Sequence, residues 1–409
     1  MATPDFPIRR NTLLLSAALA ANSGMLQLSA AVASLTLVTT VGIDQLLGLG
    51  PAIVLAFGAL AALPAGRLMD RIGRVPVLAG GFAVGAVGAG LAALGSKTGF
   101  APAVLAGLAG VGAASGTALL ARTAAGDMYP PEHRAHGIAL VLFGAVFGAI
   151  LGPAVFSPLL SGREVDGDSL ALLWLSSIGF IAVAFVLVLF VRPDPRDIAE
   201  ALHTHDAEET GPAAPLSEIV RRPGAIQALL AGQASFAVMV GIMTLTGSVV
   251  VDHHGHAPSA VFPIIGAHVI GMYALVLVIG TLIDRIGRTP ALAGGLIIMG
   301  AASVSLLWVR SVPATAIALF ALGIGWNASF VAATAQLADC ARPSERGRLL
   351  GFNDLLAGMT GAALALIGGV ALTAIGVAAL AIGGAVLVTA PAAWIARSPF
   401  RSARIPLRS

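Results

Sequence analysis

The chain has 409 residues, 57% of them hydrophobic and only 11% charged, with a mean hydropathy of +0.93 and a formal charge of +3. That balance excludes a water-soluble globular domain, and a single cysteine, Cys340, excludes an intramolecular disulfide or a cysteine-built metal cluster. Apolar stretches of about 20 residues recur along the whole length, enough to cross a ~30 Å hydrocarbon core. Inside lipid such stretches are helices, because every backbone N–H and C=O must be paired within the segment.

In chain order, the first apolar run follows PIRR. Arg9 and Arg10 ahead of an apolar stretch also mark export signals, but the run continues to about Thr39, too long for a signal's apolar core. It reads as a first membrane helix with a basic flank. A ~19-residue window places spans near 12–38, 46–66, 76–95, 101–124, 136–160 and 169–191, and again near 225–251, 261–280, 290–309, 313–338, 348–374 and 376–396. The expected fold is all-α and membrane-integral, with twelve transmembrane helices in two pseudo-symmetric six-helix halves. The halves are 1–191 and 225–396, joined by a linker at 192–224 and followed by a tail at 397–409. The linker carries seven acids and four arginines and cannot bury itself in lipid; PLSEIVRR within it reads as a short surface helix.

Basic residues alternate with the spans. With the N-terminus inside, 20 of the 23 lysines and arginines fall on the inner side, and only Lys97, Arg163 and Arg310 fall outside. By the positive-inside rule this places both termini and the linker in the cytoplasm of a multi-pass plasma-membrane protein.

The turn between the second and third spans reads GRLMDRIGRVPVLAGG, and the corresponding turn of the second half reads GTLIDRIGRTPALAGG, identical at 12 of 16 positions and 214 residues on. A second pair agrees. DMYPPEHR from Asp127 and DCARPSER from Asp339 share Asp, Pro and Arg at one spacing, 212 residues apart. Internal repeats with a site between them are the architecture of secondary transporters. The glycines allow a tight turn and close helix approach. The arginines suit anionic head groups and helix C-termini, and a carboxylate is favoured at a helix N-terminus. Such a contact across the halves would latch one conformation and break in the other.

These residues carry a resemblance. Gly66, Asp70, Arg71, Gly73 and Arg74 resemble the signature loop of the major facilitator superfamily, and Gly280, Asp284, Arg285, Gly287 and Arg288 resemble its weaker second copy. The resemblance covers nearly the whole chain. It implies that Asp70 latches against the start of the eleventh helix near Gly351 to Asp354, and that the halves rock about a central site. In the fifth span Gly144, Gly148, Gly152 and Pro153 resemble the glycine-rich fifth-helix motif of proton-driven antiporters, although Phe156 and Ser157 replace its trailing glycines. Ala103 stands about where drug/proton antiporters carry an arginine. Arg122, at the cytoplasmic end of that span, reads as an interface or topology residue.

Ionisable residues inside a span are costly and point to function. His268 and Asp354 are the candidates for proton coupling. Arg348 could lower the pKa of Asp354 if close, so His268 ranks slightly ahead. By resemblance the first, fourth, seventh and tenth helices line the cavity, and Ser23, Gln27, Gln233, Thr244, Trp326 and Asn327 are the candidates for its wall. Ser34 shares a face with the first two. Amides, hydroxyls and an indole suit an uncharged or amphipathic molecule. DHHGH, Asp252 to His256, lies in an outer loop and reads as solvated or packed over the vestibule rather than as a metal site.

The reading is therefore a monomeric secondary transporter of a small organic molecule in the lipid bilayer, working as a proton-linked exporter without cofactor, metal or nucleic acid. An uptake carrier or uncoupled facilitator is the alternative within the class. A non-transporting receptor or scaffold is the alternative outside it. No convergent set of catalytic groups marks an enzyme.

Overall fold

A computed structural model describes residues 6–42, 49–160, 166–203, 214–256 and 260–397. The described elements are helical. In the first half they are α1 (Ile8–Val41), α2 (Leu49–Ile72), α3 (Arg74–Thr98), α4 (Ala101–Leu119), its continuation α5 (Ala121–Asp127), α6 (Arg134–Leu160) and α7 (Gly167–Leu189). The linker contributes α8 (Pro195–His203) and α9 (Leu216–Ile219), the latter within PLSEIVRR. The second half contains α10 (Ala225–Ser248), α11 (Val261–Tyr273), α12 (Val276–Ile286), α13 (Arg288–Ser305), α14 (Val312–Asp339), α15 (Pro343–Ile375) and α16 (Val377–Arg397). With α4–α5 and α11–α12 each counted as one span, this is the twelve-helix arrangement in two six-helix halves.

Small residues set the packing. A Cβ on Gly116 of α4 would fall on the Gly58 carbonyl of α2, and one on Gly107 would meet the Ala92 backbone of α3. Helices therefore approach backbone to backbone, the contact that drives association where lipid is as apolar as the side chains. Large apolar residues cover the outside, such as Val87, Val278 and Ile317, each about two-thirds exposed, where acyl chains rather than water are the solvent. Some polar groups inside tie helices together: Trp174 is fully buried and donates its indole N–H to Thr36 Oγ1 at 2.9 Å.

The two halves meet along two seams. In one, α2 packs along α15; in the other, α6 packs along α12. The linker is bolted to the bundle at the basic end. Asp194 accepts from the backbone N–H of Arg74 (3.0 Å) and Val75 (2.9 Å), capping α3, and Ile198 and Ile219 are fully buried.

Candidate functional site: the seam between the halves

Gly73 has φ of 99° and Gly287 of 93°, a region that only glycine enters without strain. Each lets the chain turn directly from one span into the next and leaves the preceding aspartate on the last turn of its helix. Asp70 Oδ1 accepts from Gly347 N at 2.9 Å, and Oδ2 accepts from Arg348 N at 2.7 Å. Both donors lie near the N-terminal end of α15, where a carboxylate is favoured. Gly66 makes the approach feasible, since a Cβ there would fall on the Gly347 carbonyl. The sequence reading put this partner near Gly351 to Asp354. The contact lies one turn earlier because α15 already begins at Pro343, and Gly351 instead packs on the Ala62 carbonyl of α2.

Arg74 completes the first cluster. Its Nε donates to Asp127 Oδ2 at 2.8 Å and its Nη2 to the Pro343 carbonyl at 2.6 Å, while Arg346 Nη1 reaches the other oxygen of Asp127 at 3.0 Å. The second cluster repeats this residue for residue. Asp284 accepts from Ala135 N (3.2 Å) and His136 N (2.9 Å) in the first turn of α6. Arg288 donates from Nε to Asp339 Oδ2 at 3.1 Å and from Nη2 to the Pro131 carbonyl at 2.5 Å, and Arg134 takes the other oxygen of Asp339. Each half thus lends an arginine and a helix N-terminus to the carboxylates of the other. Arg74, Arg134, Arg346 and Asp127 are all buried, which charged groups tolerate only when paired.

Among the described residues the linker attaches to the α2–α15 seam. Glu345, in the first turn of α15, accepts from Arg222 Nη1 (2.6 Å), Arg342 Nη2 (2.7 Å) and the Ala214 N–H (2.9 Å). Burial opposes its ionisation, but the hydrogen bonds from Arg222 and Arg342 outweigh it and hold the carboxyl at about 2. Arg348 donates to the Ala214 carbonyl and so is committed to the linker.

Deeper in the bundle a second network crosses the seam. Arg122, five residues and about 8 Å along the helix from Asp127, is fully buried and pairs with Asp354 through Nη2–Oδ1 at 2.5 Å. Its Nε donates to Thr334 Oγ1 at 3.3 Å. Arg122 and Thr334 stand 212 residues apart, the repeat distance. Residues related by a twofold can touch only near its axis, so this contact lies close to the pseudo-twofold axis between the halves. The guanidinium lies 4.7 Å from the Phe330 ring centroid, Phe330 stacks on Trp326 (4.6 Å, 15°), and Tyr273 meets Trp326 edge-on at 6.1 Å. On the other side Asn353 Nδ2 donates to Asp354 Oδ1 (3.3 Å), Gln233 Nε2 donates to the Asn353 carbonyl (3.1 Å), and Thr360 donates to Gln233 Oε1 (3.2 Å). One continuous network therefore joins α10, α15, α5, α14 and α11.

The remaining candidates separate. His268 is fully buried, with Nδ1 2.8 Å from the Leu319 carbonyl of α14, so its bond stays within the second half. Asn327 donates to the Met272 carbonyl at 2.6 Å and Ser23 to the Ala145 carbonyl at 3.1 Å; both tie neighbouring helices. Gly144 and Gly148 face α1, where a Cβ on either would fall on the Ser16 or Ala20 carbonyl. The helix continues through Gly152 and Pro153. The side chains of Gln27, Ser34, Thr244 and Pro153 lie outside the described residues. Arg348, which could have acted on Asp354 if close, is bound to the linker, and Arg122 is the arginine that pairs with Asp354. Sequence reasoning missed the pairing, although an arginine within the apolar run leading to Asp127 was itself a signal that a buried anion awaits it. In the DHHGH loop, His256 Nε2 lies 2.6 Å from the Arg310 carbonyl, and burial together with His256, Arg310 and His253 lowers the pKa of His254. Among the described residues no group of three or more His, Cys, Asp or Glu is placed to hold a metal.

The sequence profile of the Major Facilitator Superfamily matches residues 13–267 and 249–408. The chain belongs to that superfamily. Among its relatives, the uncharacterized MFS-type transporter YdeG of Bacillus subtilis (strain 168) is 31% identical over 335 residues, covering 80% of this chain and 78% of the other. The riboflavin transporter RfnT of Brucella anthropi is 32% identical over 317 residues, covering 77% of each. Solved superfamily folds superpose closely. The human organic anion transporter MFSD10 (TETRAN) gives a TM-score of 0.75 at 19% identity, covering 96% of this chain and 100% of that one. The Escherichia coli fucose:proton symporter FucP gives 0.76 at 16%, covering 97% and 99%. At that identity the likeness shows the superfamily fold alone.

Proposed function

We propose that the chain is a secondary transporter that moves a small organic molecule across the cytoplasmic membrane by alternating access, as a proton-linked exporter with both termini and the linker in the cytoplasm. The observation that carries this reading is the reciprocal seam: duplicated carboxylate contacts between the halves, all at the basic end, backed by the buried Arg122–Asp354 pair. In this state the cytoplasmic face is shut. The Gly66–Arg74 and Gly280–Arg288 segments act as its latches, and opening that face breaks both.

Asp354 is the coupling group in this reading. Arg122, unlike Arg348 on Asp354's own helix, belongs to the opposite half and holds the carboxylate only while the seam is shut; protonation and that pairing exclude one another, so proton uptake favours separation of the halves. Once the cytoplasmic face is open and wet, the carboxylate ionises to that side. His268 serves as a tie between α11 and α14. The substrate is planar and uncharged or amphipathic. The riboflavin transporter among the relatives supports the class, and the Tyr273–Trp326–Phe330 column beside Arg122, with Trp326 and Phe330 stacked and buried in this state, becomes available to it only when the halves part.

Counterflow of riboflavin in liposomes containing the purified protein, with and without an imposed pH gradient, tests the reading. Accumulation that follows the gradient in wild type and His268→Gln, with Asp354→Asn losing at least tenfold of that response but keeping counterflow, is the expected result. Exchange without any gradient response in wild type would make the protein a facilitator, and a full response in Asp354→Asn would remove Asp354 from coupling.

A further inference from the structure

The two seams are alike in their polar contacts but not in what covers them. Beside α2–α15 lies the linker: Arg196 Nη1 donates to the Arg71 carbonyl at 2.9 Å, and Arg348 donates to Ala214. The α6–α12 seam carries instead an open groove of about 440 Å³, lined by His136, Leu277, Val278, Thr281, Leu282 and Arg285. His136 is the repeat counterpart of Arg348, and Arg285 that of Arg71. From this groove we infer a binding site for one anionic phospholipid, spanning the seam that the described part of the linker does not touch.

The lining is ordered along the membrane normal. Arg285, in the last turn of α12, and His136, in the first turn of α6, sit at the basic end. Val278 lies seven residues, about 10 Å, deeper and is 66% exposed. A head group at one end and an acyl chain along Val278 and Leu282 fit that order. Arg285 is exposed and makes no hydrogen bond or ion pair among the described residues. His136 pairs Nδ1 with Thr281 Oγ1 at 3.1 Å, and because Thr281 donates to the Leu277 carbonyl the ring proton sits on Nδ1. Nε2 donates to a second phosphate oxygen as the imidazolium, a form that the phosphate itself favours. The lining contains no carboxylate to receive an ammonium group, and Asp284 is spent on the α6 N-terminus and Arg288. The site therefore selects an anionic head group over a zwitterionic one. Because His136 belongs to the first half and Arg285 to the second, the lipid bridges both and favours the shut seam.

Retention of phosphatidylglycerol and phosphatidylcholine by the purified full-length protein, counted by native mass spectrometry, tests this without reference to transport. Phosphatidylglycerol should be held in preference to phosphatidylcholine. Arg285→Ala should weaken that retention about fivefold, Arg285→Lys should keep most of it, and Arg71→Ala should leave it unchanged. Inorganic phosphate at matching concentration should not displace the lipid. Equal retention of both lipids, an equal loss in Arg71→Ala, or displacement by phosphate would overturn the site, the last by showing an anion site with no acyl component.

Discussion

Arg122 and Asp354 are each shut away from solvent, and each is tolerable there only because the other is present. Removing one partner of such a pair leaves an unpaired buried charge, which costs about 3–5 kcal/mol, whereas replacing both with apolar groups is often neutral. Arg122→Leu alone should therefore destabilise the protein by that amount, and Arg122→Leu with Asp354→Leu should recover most of it. Thermal unfolding in detergent of the two single variants and the double reads the coupling; additive losses would mean that the pair contributes nothing as a pair. The stacked Phe330 and Trp326 should hold their places in the double variant, since apolar replacements keep their surroundings dry.

At the scale of helices, the paired aspartates bind the ends of α2 and α12 to the beginnings of α15 and α6. A carboxylate at a helix N-terminus contributes about 0.3–2 kcal/mol. By resemblance the second copy is the weaker one. In the structure Asp284 has the same set of partners as Asp70, with Arg288 closer to it (2.6 Å) than Arg74 is to Asp70 (3.6 Å). Asp70→Asn and Asp284→Asn should therefore open the basic face to similar extents, and the double variant should open it further. Distances between spin labels on the two halves at that face measure this, and a shift confined to one variant would mean that a single seam carries the load. The clusters were legible in the sequence because duplication wrote them twice: Asp70 with Asp284, Arg74 with Arg288, Asp127 with Asp339, Arg134 with Arg346. Nothing written twice points to Arg122 with Asp354 or Glu345 with Arg222. Those pairs join residues that periodicity and spacing do not relate, and only the folded geometry connects them.

Across the whole molecule, span positions were legible from hydropathy alone. The break at Ala274 and Leu275 between α11 and α12 was not, because a short irregularity inside an apolar run leaves the window average unchanged. The proposed orientation rests on the distribution of arginines and is open to direct test. Cys340 is buried with Sγ 3.3 Å from the Pro223 carbonyl, a bond that a serine hydroxyl can also make, so Cys340→Ser should be tolerated. In that background single cysteines at Ser409 and at His254 should react with membrane-impermeant reagents from opposite sides; labelling of both from outside would refute the cytoplasmic tail.

The exchange of arginines between the halves also bears on how the protein is made. Arg122 finds its carboxylate 232 residues later in the chain and Arg134 finds its own 205 residues later. At roughly 5–20 residues per second of synthesis, about 8–30 s pass between completion of the first six helices at Leu189 and the emergence of Asp339, the earlier of the two partners. During that interval the two arginines lack their carboxylates and have, of their final partners in the first half, the Leu119 and Gly126 carbonyls. The nascent first half must therefore keep its basic end hydrated, and the dry interior around Arg122 forms only when α14 and α15 arrive. Closure of the seam therefore waits on the second half and comes late in biosynthesis.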